Sequence, residues 1–320
     1  MMANSAKPLL VVGATIVYDT IFRVDCLPRP GQTARILQAD DNPVAGRQPG
    51  GTAFNIALGL ARLRARVAIA HPVGYDFAGS EYERLLRESG VDLDGLLVNE
   101  SSPSGTAYVF GALDGSTVCF SSVTPPPVGQ ISAAVLERAG LIVMTPLVSP
   151  IHQHAARYAQ SHDIPLAACG IASAEVLGWL PGLVMLSINE HEMQLLADIE
   201  PGLTPRALSS RMQGPLFITR GSGGCSVYLR EDHLADIPVI EPRQLVDTTG
   251  AGDAFFAATL AGLRQGFDPL DSARIGAAAG SLVVEAWGCQ VNLPDWSALA
   301  GRVSGAYPRL AARIRQASEL

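Results

Sequence analysis

Residues 247–256 read Asp-Thr-Thr-Gly-Ala-Gly-Asp-Ala-Phe-Phe, and these residue types suit the handling of a bound anion. A strand-like apolar lead, residues 240–246, runs into Gly250-Ala251-Gly252, after which an apolar-faced helix begins. Glycines at a helix start let a ligand approach the backbone and leave N–H groups without intrahelical partners. Those donors and the positive end of the helix dipole favour an anion such as a phosphate. Asp253 falls in the first turn, beside that site. The dipole should hold it ionised, ready to take the proton of a hydroxyl next to a bound phosphate. On local chemistry alone, a glycine-rich turn capped by an aspartate fits equally well.

The elements that must position this string follow from the hydrophobic pattern. Residues 9–17 form a nearly unbroken apolar run, as expected of a strand covered on both faces. From 19 to 39 the pattern loosens into two short exposed strands around Leu27-Pro28. Gly50-Gly51 opens a helix with Ile56, Ala57, Leu60 and Leu63 on one face. Residues 67–73 read as a strand, and 80–90 as an amphipathic helix stopped by Gly90. Residues 106–110 and 117–120 flank Asp114-Gly115, a hairpin signal. Strands are expected at 141–144, 166–168, 184–188 and 216–219 with helices between them, then helices at 251–264, 271–286 and 295–303. This alternation predicts an α/β fold with a mostly parallel sheet and helices on both faces. The two early hairpin-like segments, about 19–48 and 104–123, break the layering. They read as a small β lid inserted into one domain spanning 1–320, with ordinary edge hairpins as the alternative.

Composition bounds the function classes. The chain has 320 residues, 48% apolar and 17% charged, enough to bury a sizeable core. With 23 Lys+Arg against 30 Asp+Glu the net charge is −7, and no basic run occurs. Nucleic acid and anionic membrane surfaces are therefore not expected as main partners. The first apolar run is far shorter than the roughly 20 residues of a spanning helix. Only Lys7 precedes it and no small-residue cleavage pattern follows, which points to a cytoplasmic protein. The five cysteines are scattered and never spaced C-x-x-C, against a zinc site or a disulfide frame. His152-x-His154 looks like a metal pair but lacks a carboxylate or thiol partner at ligand spacing. Both read as surface helix residues, and Phe255 and Phe256 as core.

The string at 247–256 closely resembles the C-terminal signature of the ribokinase-like (PfkB) family of small-molecule kinases. That resemblance implies Asp253 as catalytic base, with the N–H groups of Gly250, Ala251 and Gly252 holding the transferred phosphoryl group. Other motifs match in order along nearly the whole chain. Gly50-Gly51 with Asn55 resembles the signature that binds the phosphoryl acceptor. Asp19 matches the aspartate that grips acceptor hydroxyls. Asn189-x-x-Glu192 resembles the motif near magnesium and the ATP phosphates. Thr219-x-Gly221-x-x-Gly224 resembles the turn along the phosphate tail. The resemblance implies a three-layer α/β/α domain with a small sheet as lid, ATP with Mg²⁺ held through water by Glu192, and a homodimer formed through the lid. It also implies K⁺ as a further cofactor at Asp247 and Thr249.

Resemblance fixes a reaction class more firmly than a substrate. Ribokinases carry polar residues where this chain has Val17, Thr52 and Val148, and each loss removes a grip on a free sugar. Val73-Gly74-Tyr75-Asp76-Phe77, Glu81-Tyr82-Glu83-Arg84, Val283-Val284-Glu285-Ala286, Gly288-Cys289-Gln290 and Asn292-Leu293-Pro294 resemble the broad-specificity nucleoside kinases of archaea and bacteria. The implied reaction is transfer of the ATP γ-phosphoryl group to the 5′-OH of inosine, guanosine, adenosine or cytidine. Cys169 stands where those relatives carry an aspartate. A sugar kinase of the same family and a non-catalytic nucleotide-binding regulator stay open. A nicotinamide-dependent dehydrogenase does not, because only Gly13 follows the first strand where G-x-G-x-x-G is needed.

Overall fold

A computed structural model of the chain describes residues 7–14, 16–37, 47–114, 116–123 and 129–318. The strands are β1 (Leu9–Val12), β2 (Ile16–Val24), β3 (Arg47–Pro49), β4 (Val67–Gly74), β5 (Asp92–Asn99), β6 (Gly105–Ala112), β7 (Thr117–Ser122), β8 (Leu141–Met144), β9 (Leu166–Cys169), β10 (Leu183–Asn189), β11 (Leu216–Thr219), β12 (Cys225–Leu229) and β13 (Asp232–Ile237). The helices are α1 (Thr52–Arg62), α2 (Glu81–Glu88), α3 (Ala133–Arg138), α4 (Pro150–Ser161), α5 (Ala174–Trp179), α6 (Glu190–Ile199), α7 (Pro205–Ser210), α8 (Ala251–Arg264), α9 (Pro269–Val283), α10 (Trp296–Val303) and α11 (Pro308–Ser318).

Among the described residues the strands form two sheets. The larger runs β13-β12-β11-β10-β9-β8-β1-β4-β5, parallel from β11 to β5 and antiparallel over β12 and β13. Period-2 alternation builds its two cores. Leu9 and Val11 of β1 face α1, α8, α9, α10 and α11, whereas Leu10 and Val12 face α3, α4, α5 and α6. The three-layer α/β/α expectation therefore holds. The smaller sheet runs β3-β2-β6-β7, with β2 and β6 parallel and both outer pairs antiparallel.

Several sequence readings change. The apolar run at 9–17 is split: β1 ends at Val12, and β2 starts at Ile16 in the other sheet. β2 is one long, mostly buried strand rather than a short exposed one. Its expected partner shrinks to a single bridge between Val24 and Ile36. Part of the lid segment, 38–46, and Gly115 of the hairpin lie outside the described residues. Residues 240–246 are not a strand, because Glu241, Pro242, Arg243 and Gln244 interrupt the apolar pattern and the Val246 N–H donates to the Val284 carbonyl. β5 and the β12–β13 hairpin are additional. β5 and β13 lie at the sheet edges, where polar residues face water and weaken the apolar signal. α11 is additional too, with Leu310 and Ile314 one turn apart and buried.

His152 corrects another expectation, since it is fully buried instead of on the surface. Its Nε2 donates to the Val12 carbonyl at 3.1 Å and its Nδ1 accepts from the Ser149 N–H at 3.3 Å, tying the head of α4 to the end of β1. Burial pushes its pKa down to about 4. His154 is half-buried, with Nε2 3.2 Å from the Ile131 carbonyl.

Candidate active site

Parallel α/β sheets place ligands at the carboxyl ends of their strands. Here that edge collects Cys169, Asn189 and Thr219, the last residues of β9, β10 and β11, with the N-terminus of α8 beside them. Gly250 caps α8 in the left-handed region, φ 80°, and a Cβ there would meet Cys289 at 2.7 Å. No L side chain fits both demands, so glycine is required. The first-turn N–H groups have no partners within the helix, although that of Ala251 makes a long 3.3 Å bond to the Thr248 carbonyl.

Asp253 meets Asn55, 198 residues away in sequence, whose Nδ2 donates to Asp253 Oδ2 at 2.8 Å. The Thr52 hydroxyl also donates to it. Asp19, buried in β2, accepts from the Gly51 N–H and, at 3.3 Å, from the Cys289 thiol. A Cβ on Gly50 would fall on the Asp19 carboxylate, so the two segments touch directly. Asp19, Gly50, Gly51, Asn55 and Asp253 therefore converge as their motifs required. Sequence reasoning missed three supports. Gln290 Nε2 donates to Asn55 Oδ1 at 2.8 Å and to the Tyr82 hydroxyl at 2.6 Å, and that hydroxyl donates to the Gly50 carbonyl at 2.9 Å. Tyr82, Cys289 and Gln290 stand in segments that resemble nucleoside kinases, but their support of the site shows only once folding gives them partners.

The motifs expected on the nucleotide side are built locally. Asn189 caps α6: its Oδ1 accepts from the Glu192 N–H and its own N–H donates to Glu192 Oε2, both at 2.8 Å. This reciprocal pair is a capping box made with asparagine in place of the usual serine or threonine. Residues Gly221–Gly223 form one 3₁₀ turn after Thr219, closed by Gly224. Asp247 Oδ1 accepts from the N–H and hydroxyl of Thr249, at 2.9 and 2.6 Å, and its Oδ2 accepts from the Gly288 N–H at 3.1 Å. Each oxygen of this aspartate thus has at least one protein donor.

Electrostatics departs from the expected ionised base. Desolvation, together with the nearby Asp19 charge, pushes the Asp253 pKa up to about 7 despite the Asn55 and Thr52 donors. Burial likewise raises Asp19 to about 6. A carboxylate near 7 is well matched to accepting a proton at neutral pH. Cys169 lies near both Asp253 and Glu192, its thiol pushed well up by burial and by those charges. Glu192 is raised as well, mainly by burial.

Residues 9–296 match the model of the pfkB family of carbohydrate kinases. The chain belongs to that family. It is a phosphotransferase with an alcohol group as acceptor. Among relatives of this PfkB kinase, a nucleoside kinase of Methanocaldococcus jannaschii is 27% identical over 94% of this chain and 98% of its own. A ribokinase of Bacillus subtilis is 31% identical over 90% of this chain and 96% of its own. The solved structure of the M. jannaschii enzyme superimposes with a TM-score of 0.76 at 25% identity, covering 94% of this chain and 100% of that one. A Burkholderia thailandensis nucleoside kinase, solved in complex with inosine, shares the fold with a TM-score of 0.79 at 21% identity, over 94% of this chain and 98% of that one. Among the described residues, no helix is long and apolar enough to cross a membrane.

Proposed function

We propose that this PfkB kinase transfers the γ-phosphoryl group of ATP to the 5′-OH of ribonucleosides, with inosine, guanosine, adenosine and cytidine as the acceptor set. The observation that carries the reading is the convergence of Asp19, Asn55 and Asp253 beside the glycine-rich head of α8. Kinship with the M. jannaschii nucleoside kinase supports the acceptor class. Asp19, the Gly50-Gly51 backbone and Asn55 hold the ribose hydroxyls, and the 5′-OH points at Asp253, which takes its proton as the phosphoryl group moves. The first-turn N–H groups at Gly250, Ala251 and Gly252 receive the charge of the transferred group.

ATP lies along Asn189, Thr219, Gly221, Gly224 and Gly252. Mg²⁺, when bound with ATP, neutralises phosphate charge. The donors present fit that role. The capping box uses only Oε2 of Glu192, and no cluster of three His, Cys or acidic residues able to hold a metal occurs among the described residues. That set suits a hydrated ion held largely by ATP rather than a cage of side chains. K⁺ at Asp247 and Thr249 has the least support, since protein donors already meet both carboxylate oxygens.

The small sheet of β2, β3, β6 and β7 acts as a lid that keeps water from the phosphoryl group. Its outer face carries Phe22 stacked on Phe110 at 4.9 Å and Phe120, 62% exposed, edge-on to Phe110. That apolar face is where a second copy of the chain docks to form a homodimer. A cytoplasmic location completes the reading.

The test is acceptor-dependent ADP release with Mg·ATP, across the four nucleosides, ribose and fructose, beside Asp253→Asn. Turnover of nucleosides lost in the variant supports the proposal. Turnover of a free sugar alone replaces it with the ribokinase reading, which the 31% identity to the B. subtilis enzyme keeps in view. ATP binding with no turnover of any acceptor favours a non-catalytic regulator.

A further inference from the structure

We infer that Gln290 is a positioning residue that fixes which end of the Asn55 amide faces Asp253, and so aims a donor at the reacting carboxylate. The inference rests on Asp253 being the base.

An asparagine amide has a donor end and an acceptor end of nearly the same shape, so its direction is set by its partners. Asn55 lies between two of them: Nδ2 is 2.8 Å from Asp253 Oδ2, and Oδ1 is 2.8 Å from Gln290 Nε2. Rotated by half a turn, it would set Oδ1 against the carboxylate and give the base no donor on that side. The Gln290 amide prevents this because its nitrogen has two hydrogens and both are committed. One goes to Asn55 and the other to the Tyr82 oxygen at 2.6 Å. The Tyr82 hydrogen then goes to the Gly50 carbonyl at 2.9 Å. All the bonds of this chain run outward from Gln290. The arrangement leaves Gln290 Oε1 buried without a partner. An unmet buried acceptor costs stability, so the amide is oriented for what its nitrogen does.

The groups facing Asp253 are few. Asn55 and Thr52 come from α1, Asp19 from β2, Cys169 from the end of β9 and Cys289 from the loop before Gln290. Of these, Asn55 and Thr52 favour its ionised form and Asp19 opposes it. Losing the Asn55 donor must therefore raise the pH at which the base loses its proton.

The experiment compares kcat against pH for wild type, Gln290→Met, Gln290→Glu and Asp253→Asn, with calorimetric titration of ATP alone as a check on folding. Methionine keeps the volume without a donor. Glutamate keeps the shape but can only accept, which turns the Asn55 amide round. With ATP affinity held within about twofold, the acidic limb of kcat should move up by about one pH unit in Gln290→Met and further in Gln290→Glu. A limb at its wild-type position in Gln290→Met, however low its kcat, overturns the inference, because the charge of Gln290→Glu raises the limb by itself. So does loss of ATP binding in both, which makes Gln290 a folding residue. Near-wild-type turnover in Asp253→Asn instead removes the base reading itself, a result separate from either of these.

Discussion

The two halves of the site are built in opposite ways. On the acceptor side, Asp19, Asn55, Tyr82, Asp253, Cys289 and Gln290 are joined by bonds whose partners lie 198 to 270 residues apart. On the nucleotide side, Asn189 and Glu192 satisfy one another three residues apart, and Gly221 to Gly224 close a single turn. The acceptor half is therefore only as good as the whole fold, whereas the nucleotide half is assembled wherever its own segment folds. Interlocked groups lose function together, and local ones lose it separately.

The largest expected effect is on the acceptor half. Asp253→Asn should lower kcat by about 10² to 10⁴, the usual worth of a general base, in single-turnover assays with saturating nucleoside. Asn55→Leu comes next. A hydrogen bond to a charged group contributes roughly 1.5–3 kcal/mol, so kcat/KM for the acceptor should fall on the order of 100-fold. KM for ATP should stay near its wild-type value. Combining the two variants should cost little more than Asp253→Asn alone. Full additivity would show that the acceptor half is not interlocked.

Stability should report the same interlocking through pH. Asp253 and Asp19 have folded pKa values raised to about 7 and about 6, above those of the unfolded chain. Raised carboxyl groups weaken the fold where they are ionised, so their cost is greatest above pH 7 and fades as pH falls toward 4. Asp253→Asn should therefore raise the melting temperature at pH 8 and have little effect near pH 4. A fall at pH 8 would show that the charge is compensated. The wild type has an opposing trend. His71 and His152 are depressed to about 3 and about 4, so their contribution is lost as pH drops below about 6.5.

Smaller effects belong to the nucleotide half and the small sheet. Asn189→Ala removes an N-cap worth about 1 kcal/mol, a fall of roughly 2–4 °C in melting temperature. It should raise KM for ATP several-fold, leave KM for the nucleoside alone, and add to Asn55→Leu without coupling. Phe120→Lys should leave single-site kinetics intact while shifting sedimentation from dimer to monomer. A dimer that persists would place the interface elsewhere.

Motifs made of neighbours in the chain are legible in the order of residues alone. Gly250-Ala251-Gly252-Asp253, Asn189-x-x-Glu192 and the strand–helix alternation each carry their signal within one or two turns of chain. What fails to show there is equally specific. The apolar run at 9–17 gives no sign that two sheets share it. His152 looks like any surface histidine until Val12 is placed 3.1 Å away. Gln290 lies in a recognisable segment, but its bonds exist only once Asn55 and Tyr82 are brought to it.

By itself, then, the sequence determined the layered fold, the family, and which residues make up each motif, because periodicity and turn chemistry act over a few residues. Tertiary structure alone decided the raised pKa of Asp253 and the direction of the hydrogen bonds around it. Desolvation depends on everything packed around Asp253, and the sense of a hydrogen-bond chain depends on every partner along it.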